Sequence, residues 1–229
     1  MRKNINIVKI KEGDNYFKRN TNFYNPSKKI SGGGEVRDLS IIDLIKQNNL
    51  KPKSILEIGC ATGIKLNQYQ DSLKTNINYG IDLSSKAINF GKKKYKKLKL
   101  LKLSSLEINK IKKNFDLIIC GFFLYLLDRE EIFNQFNLIY KKLTTNGHLI
   151  INDFDPLFKH TNTSTHNKNL KSFKVSYDNF LEESGLFKVI YKISHNWESI
   201  NDKKKFKSND TSITLYKKIN FINSYPENI

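Results

Sequence analysis

Cysteine occurs only at Cys60 and Cys120 in this 229-residue chain, and arginine only at four positions. Proline is found four times, methionine and tryptophan once each. Two distant cysteines are too few for a disulfide framework and lie far from any metal-ligand spacing, so a reduced, cytoplasmic protein without a metal site is expected. No run of ~18 uncharged apolar residues occurs, which excludes a transmembrane helix. The opening MRKNINIVKIKEGD is basic but has neither an apolar h-region nor a small-residue cleavage site, so no signal peptide is expected.

What is present is enough apolar material for a core. Hydrophobic residues make up 38% and aromatic residues 12% of the chain, which excludes a largely disordered protein. The formal net charge is +18, from 40 Lys and Arg against 22 Asp and Glu. Such a balance points first to a polyanionic partner. However, 36 of these cations are lysine, whereas specific phosphate and base readers favour the planar fork of arginine. Asparagine and isoleucine each number 28. Excess Lys, Asn and Ile together reads as the coding bias of an AT-rich genome, and the charge reads as solvated lysine.

From Ser54 onward, apolar runs alternate with amphipathic stretches, the rhythm of βαβ units around a parallel sheet. Strands are expected at Lys53–Ile58, Asn78–Asp82, Leu98–Leu103, Phe115–Gly121 and, after an Asn-Gly turn, Gly147–Asp153. Helices are expected at Glu35–Asn48, at Lys65–Leu73, from the Ser84 cap to about Lys97, and over Asp128–Leu143. Tyr177–Ser184 reads as a short helix. Leu186–Ile193 and Thr211–Ile219 read as an antiparallel pair joined by the polar loop 201–210. The segment before Gly32-Gly33-Gly34 has no assignable pattern. One α/β domain over residues 35–220 is expected, with an N-terminal cap over 1–34 and a tail over 221–229.

The strongest signal is Ile55-Leu56-Glu57-Ile58-Gly59-Cys60-Ala61-Thr62-Gly63, a buried strand running into a small-residue turn before a helix. Such a turn lets a ligand approach the backbone at a helix N-terminus. Asp82, nineteen residues past Gly63, ends the next strand, where a carboxylate receives a ribose diol. A dinucleotide fold wants G-x-G-x-x-G, but counting from Gly59 the second and third glycine positions hold Ala61 and Ile64.

Glu57, Gly59, Ala61 and Gly63 instead resemble the first motif of the S-adenosylmethionine-dependent class I methyltransferase family, an acidic residue followed by G-x-G-x-G. Asp82 matches the family's ribose-binding acid, Phe115–Ile119 its fourth strand, and Asn146–Ile150 the entry to its fifth. The resemblance covers residues 54–155. It implies a Rossmann-like seven-stranded, mostly parallel sheet of order 3-2-1-4-5-7-6 with the last strand antiparallel and helices on both faces. It also implies S-adenosylmethionine as cofactor, held by Glu57, Gly59, Cys60, Ala61, Gly63, Asp82, Leu83, Ser105, Leu106 and Gly121. Gly13–Tyr16, Arg19-Asn20, Gly121–Arg129 and Asp153–Asp155 resemble methyltransferases of bacterial surface-polysaccharide biosynthesis. By that resemblance Tyr16 and Arg19 reach the methionine end of the cofactor. Asp153 and His160, at and after the carboxyl end of the fifth strand, are the candidate catalytic bases.

The function implied is methyl transfer to an oxygen or nitrogen of a small acceptor, a nucleotide sugar or saccharide, with a homodimer as a candidate assembly. The alternatives are an RNA methyltransferase or a non-catalytic binding protein of the same fold. Against nucleic acid stands Cys120-Gly121-Phe122-Phe123, which is not the Asn/Asp-Pro-Pro-aromatic motif that grips a base.

Overall fold

The computed structural model describes residues 2–24, 34–164, 166–195 and 210–225. The chain forms two compact units, Met1–Glu107 and Ile108–Ile229.

The first unit contains helix α1 (Arg2–Arg19), a 3-10 turn (Thr21–Tyr24), α2 (Gly34–Gln47), β1 (Ser54–Ile58), α3 (Ile64–Leu73), β2 (Ile77–Asp82), α4 (Ser85–Lys94) and β3 (Lys99–Lys102). Its strands are parallel in the order β3-β2-β1, with Glu57 opposite Gly80 and Tyr79 opposite Lys99. All five residues of β1 are buried. That is why its sequence is a continuous apolar run rather than an alternating one. Ile55, Leu56, Ile58 and Ile81 form the core with Leu66 and Tyr69 of α3 and Ile88 of α4. The helix α1 has no counterpart among the expected elements, because its sequence, RKNINIVKIKEGDNYFKR, carries no clean apolar stripe of helical period. Helix α4 stops at Lys94, three residues short of expectation, where Tyr95 leaves helical geometry (φ −111°, ψ 77°).

The second unit contains β4 (Phe115–Gly121), 3-10 turns at Leu124–Leu126 and Arg129–Glu131, α5 (Ile132–Lys142), β5 (Leu143–Phe154), β6 (His160–Thr163), β7 (Lys171–Lys174), α6 (Asp178–Glu183), β8 (Phe187–His195), β9 (Thr211–Lys218) and α7 (Phe221–Ser224). The strand order is β4-β5-β9-β8, with β4 and β5 parallel and β9 antiparallel to both neighbours. Unit by unit these are the 3-2-1 and 4-5-7-6 orders expected, and the fold class is Rossmann-like α/β. Residues 196–209, which include most of the expected polar loop, lie outside the described residues.

Two details differ from expectation. Asn146-Gly147 is not a turn before the fifth strand, because β5 already begins at Leu143. A register shift takes up the extra residues, with Phe115 opposite Leu143 but Leu117 opposite His148. The β6–β7 hairpin also forms its own two-stranded sheet. Its sequence, HTNT and KSFK, carries too few apolar residues to announce strands. Among the described residues, no helix is long and apolar enough to cross a membrane.

Candidate cofactor and acceptor sites

The turn after β1 is built from left-handed residues at alternate positions: Gly59 at φ 78°, Ala61 at φ 48° and Gly63 at φ 77°. Glycine adopts this region freely, whereas an alanine there is strained. The turn is pinned by Gly59 N and Cys60 N donating to the Ile81 carbonyl (2.9 and 3.0 Å), and by Gly63 N donating to the Cys60 carbonyl (2.8 Å). Gly63 occupies the N-cap of α3, and no side chain caps that helix. A helix N-terminus of this kind presents backbone N–H groups and the positive end of a dipole to a ligand.

Asp82 ties the turn to the next helix. One carboxylate oxygen accepts from Ala61 N (2.9 Å) and the other from Ser84 N (2.8 Å). Burial pushes its carboxyl above the ordinary carboxylate range and the charge of Asp14 adds to this, while the N–H groups of Ser84 and Ala61 work against it. Each carboxylate oxygen has two lone pairs, so both can accept from a diol as well as from the backbone.

Two glycines outside the motif prove as important to the turn. A side chain on Gly80 would place its Cβ 2.8 Å from the Cys60 sulfur and from Leu100 Cδ2. On Gly91, in α4, the Cβ would lie 2.1 Å from the Thr62 carbonyl oxygen and 2.6 Å from Leu100 Cδ1. Glycine in a helix interior costs about 1 kcal/mol against alanine, and the contact with Thr62 is the reason that cost is borne at Gly91. Gly91→Ala is expected to displace the turn, since backbone cannot yield as a flexible side chain does. Overpacking of this kind costs about 1–3 kcal/mol. A lower melting temperature with weakened S-adenosylhomocysteine binding is the expected result; thermal melts and titration calorimetry check it.

The other expected cofactor residues of this unit fall at the carboxyl ends of β1, β2 and β3. Glu57 is 2% and Cys60 4% exposed. Burial drives the Cys60 thiol well up, reinforced by the charges of Asp82 and Glu57, so it stays protonated at neutral pH. Leu83, Ser105 and Leu106 are half-buried. Ser104 shapes the turn after β3: its hydroxyl accepts from Leu106 N (3.3 Å) and its carbonyl from Glu107 N (3.0 Å). On α1, Tyr16 is 51% exposed and Arg19 pairs with Glu12 of the same helix. The residue of α1 that does bond the β2–α4 junction is Asp14, through Ser84 and Lys86.

In the second unit Gly121 ends β4, and Phe122 follows in left-handed geometry at φ 50°, donating its N–H to the Asn152 carbonyl (2.8 Å). A bulky residue held there is strained, a condition that clusters at functional sites. Asp153 is 2% exposed. Its oxygens accept from Leu124 N (3.0 Å) and Phe154 N (2.7 Å), which fixes the start of the 124–126 turn. Burial pushes its carboxyl up to about 7, opposed by the N–H groups of Phe154, Tyr125 and Leu124 and by the Arg129 charge.

Arg129 holds the other end of that turn. It donates to the carbonyls of Leu124 and Leu127 and to the Tyr177 hydroxyl (3.0 Å), and stacks 5.0 Å from the Phe173 ring. Burial, with the Asp153 charge, pushes the Tyr177 hydroxyl up to about 12. Phe154 meets Phe122 (5.8 Å) and Tyr125 (5.2 Å) edge to face, and Lys174 Nζ lies 4.2 Å from its ring centre. These half-buried rings make an aromatic wall at the carboxyl ends of β4 and β5, where ligands bind in open α/β sheets. His160 begins β6, and its Nδ1 contacts the Phe158 carbonyl at 2.8 Å. A carbonyl only accepts, so Nδ1 carries the proton. Nε2, which holds the lone pair in the neutral ring, is buried and has no hydrogen-bond partner among the described residues. Tyr177 and Lys174 had no sequence signal, since each acts through contacts distant along the chain, and the same holds for the reach of Arg129 to Tyr177 and Phe173.

Residues 49–208 match the family model described as a methyltransferase domain. An uncharacterized protein of Rickettsia prowazekii is 30% identical over 103 residues, covering 43% of this chain and 41% of that protein. The match thus spans about two fifths of that relative's length. Among solved structures, the N-methyltransferase NodS of Bradyrhizobium japonicum, in complex with S-adenosylhomocysteine, aligns with a TM-score of 0.65 at 15% identity, over 90% of this chain and 98% of its own. The 1,6-didemethyltoxoflavin-N1-methyltransferase of Burkholderia thailandensis, with bound 1,6-didemethyltoxoflavin and S-adenosylhomocysteine, aligns at 0.62 and 10% identity, over 82% and 80%. At such identities the likeness establishes the fold.

Proposed function

The chain belongs to the methyltransferase-domain family, and from that premise we propose that it moves a methyl group from S-adenosylmethionine to an oxygen or nitrogen of a small, sugar-like acceptor. The observation that carries this reading is the turn 59–63, with left-handed Gly59, Ala61 and Gly63, an uncapped α3 behind it, and Asp82 bonded to its central amide. A nucleoside fits these residues. Asp82 accepts the ribose diol, the left-handed turn lets the ligand approach the backbone closely, and Glu57 lies buried in β1 near enough for its charge to act on the Cys60 thiol. S-adenosylmethionine supplies a methyl group on a sulfonium, already electrophilic. The chain's task is therefore to hold an acceptor lone pair in line at ~3–3.5 Å and exclude water.

The aromatic wall of Phe122, Tyr125 and Phe154 suits the apolar face of a ring-shaped acceptor. A hydroxyl acceptor also needs a base. His160, whose Nδ1 is committed to Phe158 and whose Nε2 is buried without a hydrogen-bond partner among the described residues, is the candidate for that base. Asp153, the other candidate, spends both oxygens on the backbone and serves here to hold the turn. Both solved relatives named above are N-methyltransferases, so amine-bearing acceptors belong in the first screen beside hydroxyl ones.

The test is a turnover assay with radiolabelled S-adenosylmethionine against nucleotide sugars, amino sugars and free saccharides. With a hydroxyl acceptor, His160→Gln is expected to lower kcat by ~10²–10⁴-fold and leave S-adenosylhomocysteine affinity unchanged. Undiminished kcat would remove His160 from the mechanism.

A further inference from the structure

Asp14 is a carboxylate on α1 whose partners lie 70 and 72 residues further along the chain. Its Oδ1 accepts from the Ser84 hydroxyl at 2.7 Å and from Lys86 N at 3.1 Å. The same Ser84 hydroxyl accepts from Ala87 N (3.1 Å) and so caps α4. Ser84 N donates to Asp82, and Asp82 accepts from Ala61 N. An unbroken series of hydrogen bonds therefore runs from α1 through Ser84 and Asp82 to the middle residue of the glycine turn.

The rest of the contact is shaped to bring Asp14 there. A Cβ on Gly13 would lie 3.4 Å from Ser84 Cβ and Ser84 N, so the α1 backbone rests directly on the cap of α4. One turn later the Phe17 ring meets Phe90 at 5.7 Å. Gly13, Asp14 and Phe17 share one helical face, and Arg19 is engaged elsewhere, with Glu12. The carboxylate also stands at the N-terminus of α4, where the helix dipole favours an anion.

We propose that Asp14 is a positioning residue for the donor site, holding Ser84, and through it Asp82 and Ala61, in the geometry that receives the nucleoside of S-adenosylmethionine. The proposal rests on the donor reading given above. Its physical basis is the strain at Ala61. A left-handed alanine persists only where its surroundings over-determine it, and the bond from its amide to Asp82 is part of that surrounding. Without Asp14 the Ser84 hydroxyl keeps only its capping bond and is free to turn, and Asp82 loses a fixed neighbour.

The experiment is titration calorimetry of the full chain with S-adenosylhomocysteine, with melting temperatures recorded alongside. Asp14→Ala is expected to weaken binding about tenfold, the upper worth of one ordinary hydrogen bond, that from the Ser84 hydroxyl. Asp14→Asn keeps an oxygen to accept from Ser84 and Lys86, and is expected to bind within about twofold of wild type. Ser84→Ala combined with Asp14→Ala should weaken binding less than the two single losses multiplied, because both act through one series of bonds. A purely structural role would lower the melting temperature of Asp14→Ala and leave affinity intact, which would overturn the proposal. Equal losses in the Ala and Asn variants would overturn it too. A wild-type protein that does not bind S-adenosylhomocysteine would instead bring down the donor reading, and this proposal with it.

Discussion

Asp82→Ala is expected to weaken S-adenosylhomocysteine binding by about 10²–10³-fold, the largest single effect among the cofactor-site residues. Two losses combine. The ribose diol loses its acceptor, and the amides of Ala61 and Ser84 lose theirs, each bond to a charged group being worth about 1.5–3 kcal/mol. Because the second loss loosens the turn itself, the variant should also melt at a lower temperature. Asp82→Asn separates the two contributions. It retains one oxygen acceptor but places an amide nitrogen against one of the two backbone donors, so an intermediate affinity is expected. Calorimetry of the three proteins checks the order. An Asp82→Ala protein that binds like wild type would remove Asp82 from the site.

The second large effect is on stability, and it comes from Asp153. Its carboxyl titrates at about 7 in the folded protein against an ordinary value of 3.8, chiefly because it is buried. Below pH 4 the folded and unfolded chains both hold the proton. Between about 4 and about 7 the unfolded chain releases it while the folded chain keeps it, so stability falls as pH rises. Above about 7 the loss is complete, at about 4 kcal/mol by the conversion of 1.36 kcal/mol per pKa unit. Asp153→Asn cannot ionise and so escapes this penalty, although it costs one of the bonds from Leu124 N or Phe154 N at every pH. The informative quantity is therefore the change in the stability difference between the two proteins, not its value at one pH. Urea unfolding at pH 5 and pH 8 should show the variant gaining about 3 kcal/mol on wild type between them. A pH-independent difference would mean that Asp153 is ionised throughout.

The parts of the fold legible in the sequence were those where local pattern and tertiary environment agree. SILEI and FDLIICG read as strands because both are buried along nearly their whole length. The Ser84 cap was readable because a serine before a helical run has one dominant use, and its hydroxyl does accept from Ala87 N. The turn 59–63 and Asp82 were readable because close backbone approach demands small residues at fixed spacing. What stayed hidden depended on partners remote in sequence. Gly91 looked like an ordinary helical glycine until its contact with Thr62 was visible. Asp14 acts on Ser84 and Arg129 on Tyr177, residues brought to them only by folding. The helix α1 lacks an amphipathic stripe, so its existence follows from docking through Gly13, Asp14 and Phe17 more than from its own pattern.

The central claim is that the turn 59–63 and Asp82 form a site for the methyl donor. Its most direct test is calorimetric titration of the purified 229-residue chain with S-adenosylhomocysteine, with NADH as control. Saturable one-to-one binding of S-adenosylhomocysteine and none of NADH is the expected result, since Ala61 and Ile64 stand where a dinucleotide site needs glycine. Binding of NADH, or of neither ligand, would contradict the account.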